Sequence, residues 1–395
     1  MRRVRLKEIG TFYSGLSGKS KSDFSEGNAL LVTYRNIFNN PVLNPAIKDT
    51  VVVGKDEKQN EVLWGDILIT GSSETPADAG MSSVVLFNPQ EKMYLNSFCF
   101  GFRLNDMNEA LPSYIGHLLR STSIRAAISK TAFGVTRFNV NRMRFADIEI
   151  PLPPLNIQKE IVSILDSFTS LIDKMKQEAE MRKKQMDYYR EKLFSFGKEE
   201  CEWRTLNELF TFKNGINKEK SDFGRGTPII NYVDVYRKRG LVKEDIKGLV
   251  NSNASEQSRY KCKKGDVFFT RTSETKEEVG FPAVLLEDIE NCVFSGFVLK
   301  ATPTTDLLDT HYCKYCFFTY QFRKEVIKSA TYTTRALTNG TSLSKISIPV
   351  PSLEKQHQIA SILDTFETYI SKLEQMIELR QKQYEYYREK LLTFE

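Results

Sequence analysis

The residues most able to do chemistry are few, and none assembles into a catalytic set. Gly15-Leu-Ser-Gly18-Lys19-Ser20 ends like a phosphate-binding loop, but the position of that loop's first glycine is Tyr13, and the equivalent later stretch reads Gly215-Ile-Asn-Lys-Glu-Lys-Ser. His311-Tyr-Cys313-Lys-Tyr-Cys316 has the spacing of half a metal site without a second half, and we read its cysteines as core or surface thiols. Only three histidines, His117, His311 and His357, are available for proton transfer. Asn39-Asn-Pro-Val42 lacks the second proline and the aromatic residue of the adenine methyltransferase loop, and no Phe-x-Gly-x-Gly cofactor turn occurs. The chain therefore reads as a binder with no metal or cofactor of its own, not as an enzyme.

A different chemistry is better supplied. Basic side chains cluster with aromatic, amide and hydroxyl groups, the combination that contacts phosphates and base edges of double-stranded DNA. In the first half these are Lys19, Lys21, Tyr34, Arg35, Asn36, Ser72, Ser73, Arg137, Asn139, Asn141 and Arg142. In the second half they are Lys218, Lys220, Tyr232, Arg237, Lys238, Arg239, Arg271, Thr272, Ser273, Arg335 and Asn339. Arg35, Arg137, Arg271 and Arg335 are the leading candidates for base or phosphate contact. The formal net charge of +6 arises in the same places: residues 1–150 carry 18 Lys and Arg against 15 Asp and Glu, and residues 201–348 carry 23 against 18.

The elements that position these groups are written twice. Pro151-Leu-Pro-Pro-Leu through Asp187-Tyr-Tyr-Arg-Glu-Lys-Leu aligns without a gap to Pro349-Val-Pro-Ser-Leu through Glu385-Tyr-Tyr-Arg-Glu-Lys-Leu, 198 residues later. Upstream anchors repeat as well: Ser22-Asp-Phe with Ser221-Asp-Phe, Gly65-Asp-Ile-Leu with Gly265-Asp-Val-Phe, and Ser73-Glu-Thr with Ser273-Glu-Thr. The gap-free segments carry apolar residues at alternating steps of four and three, the period of a coiled coil. The first seam is Ile161, Leu165, Phe168, Ile172, Met175, Ala179, Arg182, Met186, Tyr189 and Leu193; the second is Ile359, Leu363, Phe366, Ile370, Leu373, Ile377, Arg380, Tyr384, Tyr387 and Leu391. Each predicts an unbroken helix of roughly 40 residues, about 60 Å long. A duplicated unit with a local two-fold axis places such helices antiparallel. Arg182 and Arg380, with Glu178 and Glu378 within helical reach, either fix the register or snorkel at the seam edge.

The expected architecture is α+β. Two globular mixed α/β domains, residues 1–150 and 200–348, are each followed by a heptad helix, 151–199 and 349–395, and the helices form an antiparallel coiled coil. No apolar run is long enough to cross a bilayer, and the six cysteines are too irregular for a disulfide framework, which points to the cytoplasm.

Pro151-Leu-Pro-Pro-Leu with Gln158, Ile161 and Ile164-Leu165, the second copy from Pro349 with Gln356, Ile359 and Ile362-Leu363, the paired Gly-Asp segments, and the order domain, helix, domain, helix resemble the specificity subunits of type I restriction-modification systems over the whole chain. The resemblance implies two target-recognition domains, each reading half of an asymmetric bipartite DNA site. It implies that the helices set the spacer and dock two modification (methyltransferase) subunits, with restriction subunits able to join. S-adenosylmethionine and ATP would then reside on those partners. Two other readings are a specificity subunit of a different multi-subunit methyltransferase, and a coiled-coil scaffold that ignores nucleic acid.

Overall fold

A computed structural model describes residues 2–197 and 200–394. It divides into two compact units, Met1–Lys176 with Gln375–Glu395, and Gln177–Glu374. Each unit thus holds one globular part, the start of the long helix that follows it, and the end of the other long helix.

In the first unit the buried run Ile67–Thr70 lies inside an antiparallel four-stranded sheet of order Gly10–Ser14, Cys99–Leu104, Ile67–Thr70, Ser82–Val84. Leu68 sits opposite Gly101, and Ile69 opposite Phe100. A three-stranded sheet adds Ala29–Val32 between Thr50–Val51 and Met93–Leu95, and Arg2–Arg5 closes antiparallel on Glu149–Leu152. A small third sheet pairs Phe138–Val140 with Ser72–Ser73 and Ala132–Phe133. The second unit repeats this plan, with Val267–Thr270 inside a sheet that gains a fifth, parallel strand, Gly240–Leu241. Thr272–Ser273 there pairs with Ala336–Leu337.

The repeated Gly-Asp segment is a structural device. Gly65 and Gly265 have φ of 85° and 87°, a left-handed conformation that costs glycine nothing and strains other residues. The aspartates that follow are buried, and they accept from the backbone N–H groups of Leu63 (2.8 Å) and Lys263 (2.9 Å), closing the turn into the central strand. Their cations differ. Asp66 takes a bidentate bond from Arg103 (2.7 Å each) and the Tyr13 hydroxyl (2.7 Å); Asp266 takes Lys300 at 2.9 Å. Lys300 stands opposite Phe268, the register position held by Gly101 opposite Leu68 in the first copy, where the Tyr13 ring fills the space. One buried carboxylate is thereby neutralised by two different local solutions.

The long helices are Leu155–Leu193 and Leu353–Leu392, free of interior Pro and Gly as the sequence requires. The glutamine of each repeat fastens the helix start to the globular part. Gln158 accepts from Leu111 N–H (2.9 Å) and donates to Glu109 and Pro153 carbonyls; Gln356 does the same with Asp309 N–H (2.8 Å) and the Leu307 and Pro351 carbonyls. The Tyr-Tyr-Arg-Glu repeat fastens the helix ends. Glu389 accepts from the N–H of Thr122, the first residue of helix Thr122–Ser129, with both oxygens at 2.9 Å, and Glu191 accepts from Tyr320, the first of Tyr320–Ser329, at 2.9 Å. A carboxylate at a helix N-terminus satisfies orphan N–H groups and complements the dipole.

Within each unit the two helix segments run antiparallel: Phe168 stacks on Tyr387 at 5.4 Å in the first, and Tyr189 on Phe366 at 5.6 Å in the second. The seam is not freestanding. Ile161 and Leu165 belong to the first globular core, which also takes Leu392, while Ile359, Leu363 and Met186 belong to the second. The polar seam position differs between copies. Arg182 lies over the Tyr369 ring at 5.3 Å and pairs with Glu178, whereas Arg380 bonds Gln383, and Glu378 pairs with Lys382 instead.

Candidate nucleic-acid interface

Helix Tyr34–Asn39 begins at Thr33, whose hydroxyl accepts from Asn36 N–H, and this sets Tyr34 and Phe38 one turn apart, stacked at 5.7 Å. Opposite them the strand Ser72–Ser73 pairs with Phe138–Asn139, which brings Arg137 to the same place. The result is a cleft of about 550 Å³ lined by Tyr34, Phe38, Ser72, Ser73, Glu74, Thr75, Asp78, Phe98, Thr136 and Arg137. Arg137 donates from Nε to Ser72 Oγ (3.0 Å) and lies over the Phe98 ring at 5.4 Å, so its position is held from two sides. Burial pushes the Tyr34 hydroxyl pKa above its ordinary value, which keeps it a neutral donor. Sequence reasoning named Tyr34, Ser72, Ser73 and Arg137, and the structure brings these four together.

The second unit has the same plan with other residues. Tyr232 stacks on Tyr236 at 5.8 Å across one turn of helix Tyr232–Arg237. Ser273 pairs in register with Ala336, which places Arg335, the preceding residue, as Arg137 is placed in the first. Arg271 donates to the Gly296 carbonyl (3.0 Å) where the first copy has Gly71, and Thr272 adjoins it.

Other candidates are engaged elsewhere. Lys19 pairs with Glu57 (2.5 Å) and Lys218 with Glu256 (2.8 Å). The Lys19 hydrogen bond, then Gln59 and the Gly54 N–H, hold the Glu57 carboxyl at about 2. Asn141 and Asn339 cap short helices, accepting from Met143 and Arg144 N–H groups and from Ser342 N–H. Asn36 closes a turn with Asn44 and Asn40, and Lys238 pairs with Asp245. Arg239 packs over the Phe318 ring at 5.0 Å and reaches Met186 Sδ, and burial lowers its pKa. Arg142 stands on the Phe100 ring and bonds Ser14. Lys21, Arg35, Asn139, Lys220, Arg237 and Arg335 are exposed.

Sequence reasoning missed the aromatics. Phe98 and Phe297 are 58% and 68% exposed, an unusual cost for phenylalanine, on loops fixed by bonds to Asn96 and Ser295 side chains and to residues 71 and 271. The only signal was their equivalent place in the repeat. At the two motifs set aside in the sequence, Lys19 is held by Glu57, and Cys313 and Cys316 are buried core thiols whose pKa values burial raises. Among the described residues no cluster of three or more His, Cys, Asp or Glu side chains is arranged to hold a metal, and no helix is long and apolar enough to cross a membrane.

Two structural units of one plan, the first with a cleft of aromatic, hydroxyl and guanidinium groups and the second with Tyr232, Ser273 and Arg335 at the equivalent places, define a tandem-repeat protein. The same fold is found in the type I restriction-modification S subunit from M. genitalium, with a TM-score of 0.56 at 15% identity over 100% of this chain and 96% of that one. It is also found in a chain solved in a study of complex assembly and conformational transition of the type I R-M system, with a TM-score of 0.65 at 15% identity over 99% and 97%. The EcoR124I/EcoR124II specificity subunit of Escherichia coli is 30% identical over 62% of this chain and 63% of its own length. The model of the type I restriction modification DNA specificity domain matches residues 1–181 and again 198–381, and the chain belongs to that family.

Proposed function

We propose that this chain is the non-catalytic DNA-specificity subunit of a type I restriction-modification complex, acting in the cytoplasm. Each unit reads one half of an asymmetric, bipartite site in double-stranded DNA. The carrying observation is that the two units share a backbone plan at this place while its residues differ: exposed Arg35 stands where exposed Val233 stands, and Gly71 where Arg271 stands. A common frame with unlike reading groups suits unlike half-sites, and two half-sites multiply discrimination.

The long helices set the spacer and dock two modification subunits, which carry S-adenosylmethionine, while restriction subunits supply ATP-dependent cleavage. Support for docking comes from an apolar residue left exposed on the long helices at a repeated position: Ile164 in the first unit corresponds to Ile362 in the second, both more than 40% exposed. Selection of a randomised duplex library by the full chain in its complex tests this reading. Two unlike half-sites separated by a fixed spacer are expected; recovery of no motif would refute it.

A further inference from the structure

The turn Ser73-Glu74-Thr75 is retained as Ser273-Glu274-Thr275 although its surroundings changed: Gly71 to Arg271, Pro76 to Lys276, Ala77 to Glu277 and Asp78 to Glu278. Most of its polar groups have local work. Ser73 and Ser273 are buried strand residues. Thr75 donates to the Asp78 carboxylate (2.7 Å) and accepts from its N–H (3.2 Å), and Glu278 is taken by the Tyr236 hydroxyl at 2.8 Å. The Asp78 and Glu278 carboxylates are therefore satisfied inside the protein. Glu74 and Glu274 are different. Both are exposed, and among the described residues neither forms a side-chain hydrogen bond or an ion pair. Glu74 nevertheless lines the same cleft as Arg137.

A carboxylate on a DNA-facing surface is repelled by phosphates, and hydrogen bonding to it needs a donor. The donors that base pairs present in the major groove are the exocyclic amino groups, adenine N6 and cytosine N4. Resting on the DNA-reading assignment above, we propose that Glu74 and Glu274 are specificity-determining residues that each accept a hydrogen bond from the amino group of a base at an equivalent position of the two half-sites. The half-sites would then differ elsewhere and share an amino-bearing base at that point.

The test uses the full chain in the complex it forms in its host, with duplexes carrying the site recovered by library selection. Each adenine is replaced in turn by purine and each cytosine by 2-pyrimidinone, which delete only the amino group. Wild type is expected to lose about 5- to 150-fold in affinity at one position per half-site. Glu74→Ala should be insensitive to that deletion in one half-site and normal in the other, with Glu274→Ala the reverse, and the identity of the analogue distinguishes adenine from cytosine. Variants that keep every wild-type sensitivity overturn the proposal, as do variants that bind specific and random duplexes more tightly by the same factor, since the carboxylates would then only repel phosphates. If wild type selects no sequence at all, the underlying DNA-reading assignment fails instead.

Discussion

Replacing Lys300 by Met should unfold the second reading surface far more readily than the corresponding change in the first unit. Asp266 is 1% exposed; its Oδ2 is held by Lys300 and the Lys263 N–H, and its Oδ1 has no partner. Without Lys300 a buried carboxylate keeps one N–H bond, a situation that costs about 3–5 kcal/mol. For a domain of this size that lowers its unfolding temperature by about 6–20 °C. Arg103→Met should cost only about 1–2 kcal/mol, because Asp66 keeps the Tyr13 hydroxyl and the Leu63 N–H. Hydrogen exchange of peptides from each unit, with thermal unfolding, separates the two effects. Because strand Val267–Thr270 leads directly into Arg271, Thr272 and Ser273, recognition of one half-site should weaken with it. Adding Asp266→Asn to Lys300→Met should recover most of the loss. A Lys300→Met cost below about 1 kcal/mol, or no recovery in the double variant, would refute the reasoning.

Arg137 is held through Nε by Ser72, which leaves its outer nitrogens for a base edge. Arg137→Ala should relax discrimination at one position by about 1–3 kcal/mol and leave the salt dependence of binding unchanged, as read by titrations at several salt concentrations; a salt slope lower by about one with discrimination intact would make it a phosphate contact. Burial raises the Asp364 pKa, but Lys314, Tyr315 and His311 together overcome this and leave it below the ordinary 3.8. A carboxyl depressed in the folded state contributes stability above its unfolded pKa and loses it as pH falls through the folded value. Wild type should therefore lose stability relative to Asp364→Asn as pH falls through the ordinary carboxyl range and below it, and parallel pH curves would contradict this. Inserting one heptad into both long helices adds about 10 Å, or roughly 3 base pairs. The spacer in the modified sites should lengthen accordingly with both half-sites unchanged, and an unaltered spacer would remove the helices' role in setting it.

The helices were legible because a period of 3.5 residues over forty positions leaves one solution, and because the gap-free repeat fixed their equivalence. Their anchoring was not legible. Gln158, Gln356, Glu191 and Glu389 stand in the repeat as ordinary polar residues, and only the fold shows them satisfying backbone N–H groups far away in sequence. The cleft was legible in part. Tyr34 and Arg137 were visible as types, but the strand pairing that joins residues 72–73 to residues 138–139 has no local signal. The partners of Lys19, Lys218, Asn141, Asn339 and Arg239 were not legible, because type and neighbourhood cannot reveal an ion pair, a helix cap or a ring stack. Phe98 and Phe297 carry no sequence signal of their exposure, because nothing local tells an exposed phenylalanine from a core one.

Sequencing of modified bases in a host that carries this chain with its modification subunits bears most directly on the central claim that one chain presents two unlike reading surfaces. The account predicts a bipartite target whose halves differ, with a constant spacer. A palindromic target, or no chain-dependent modification, would contradict it.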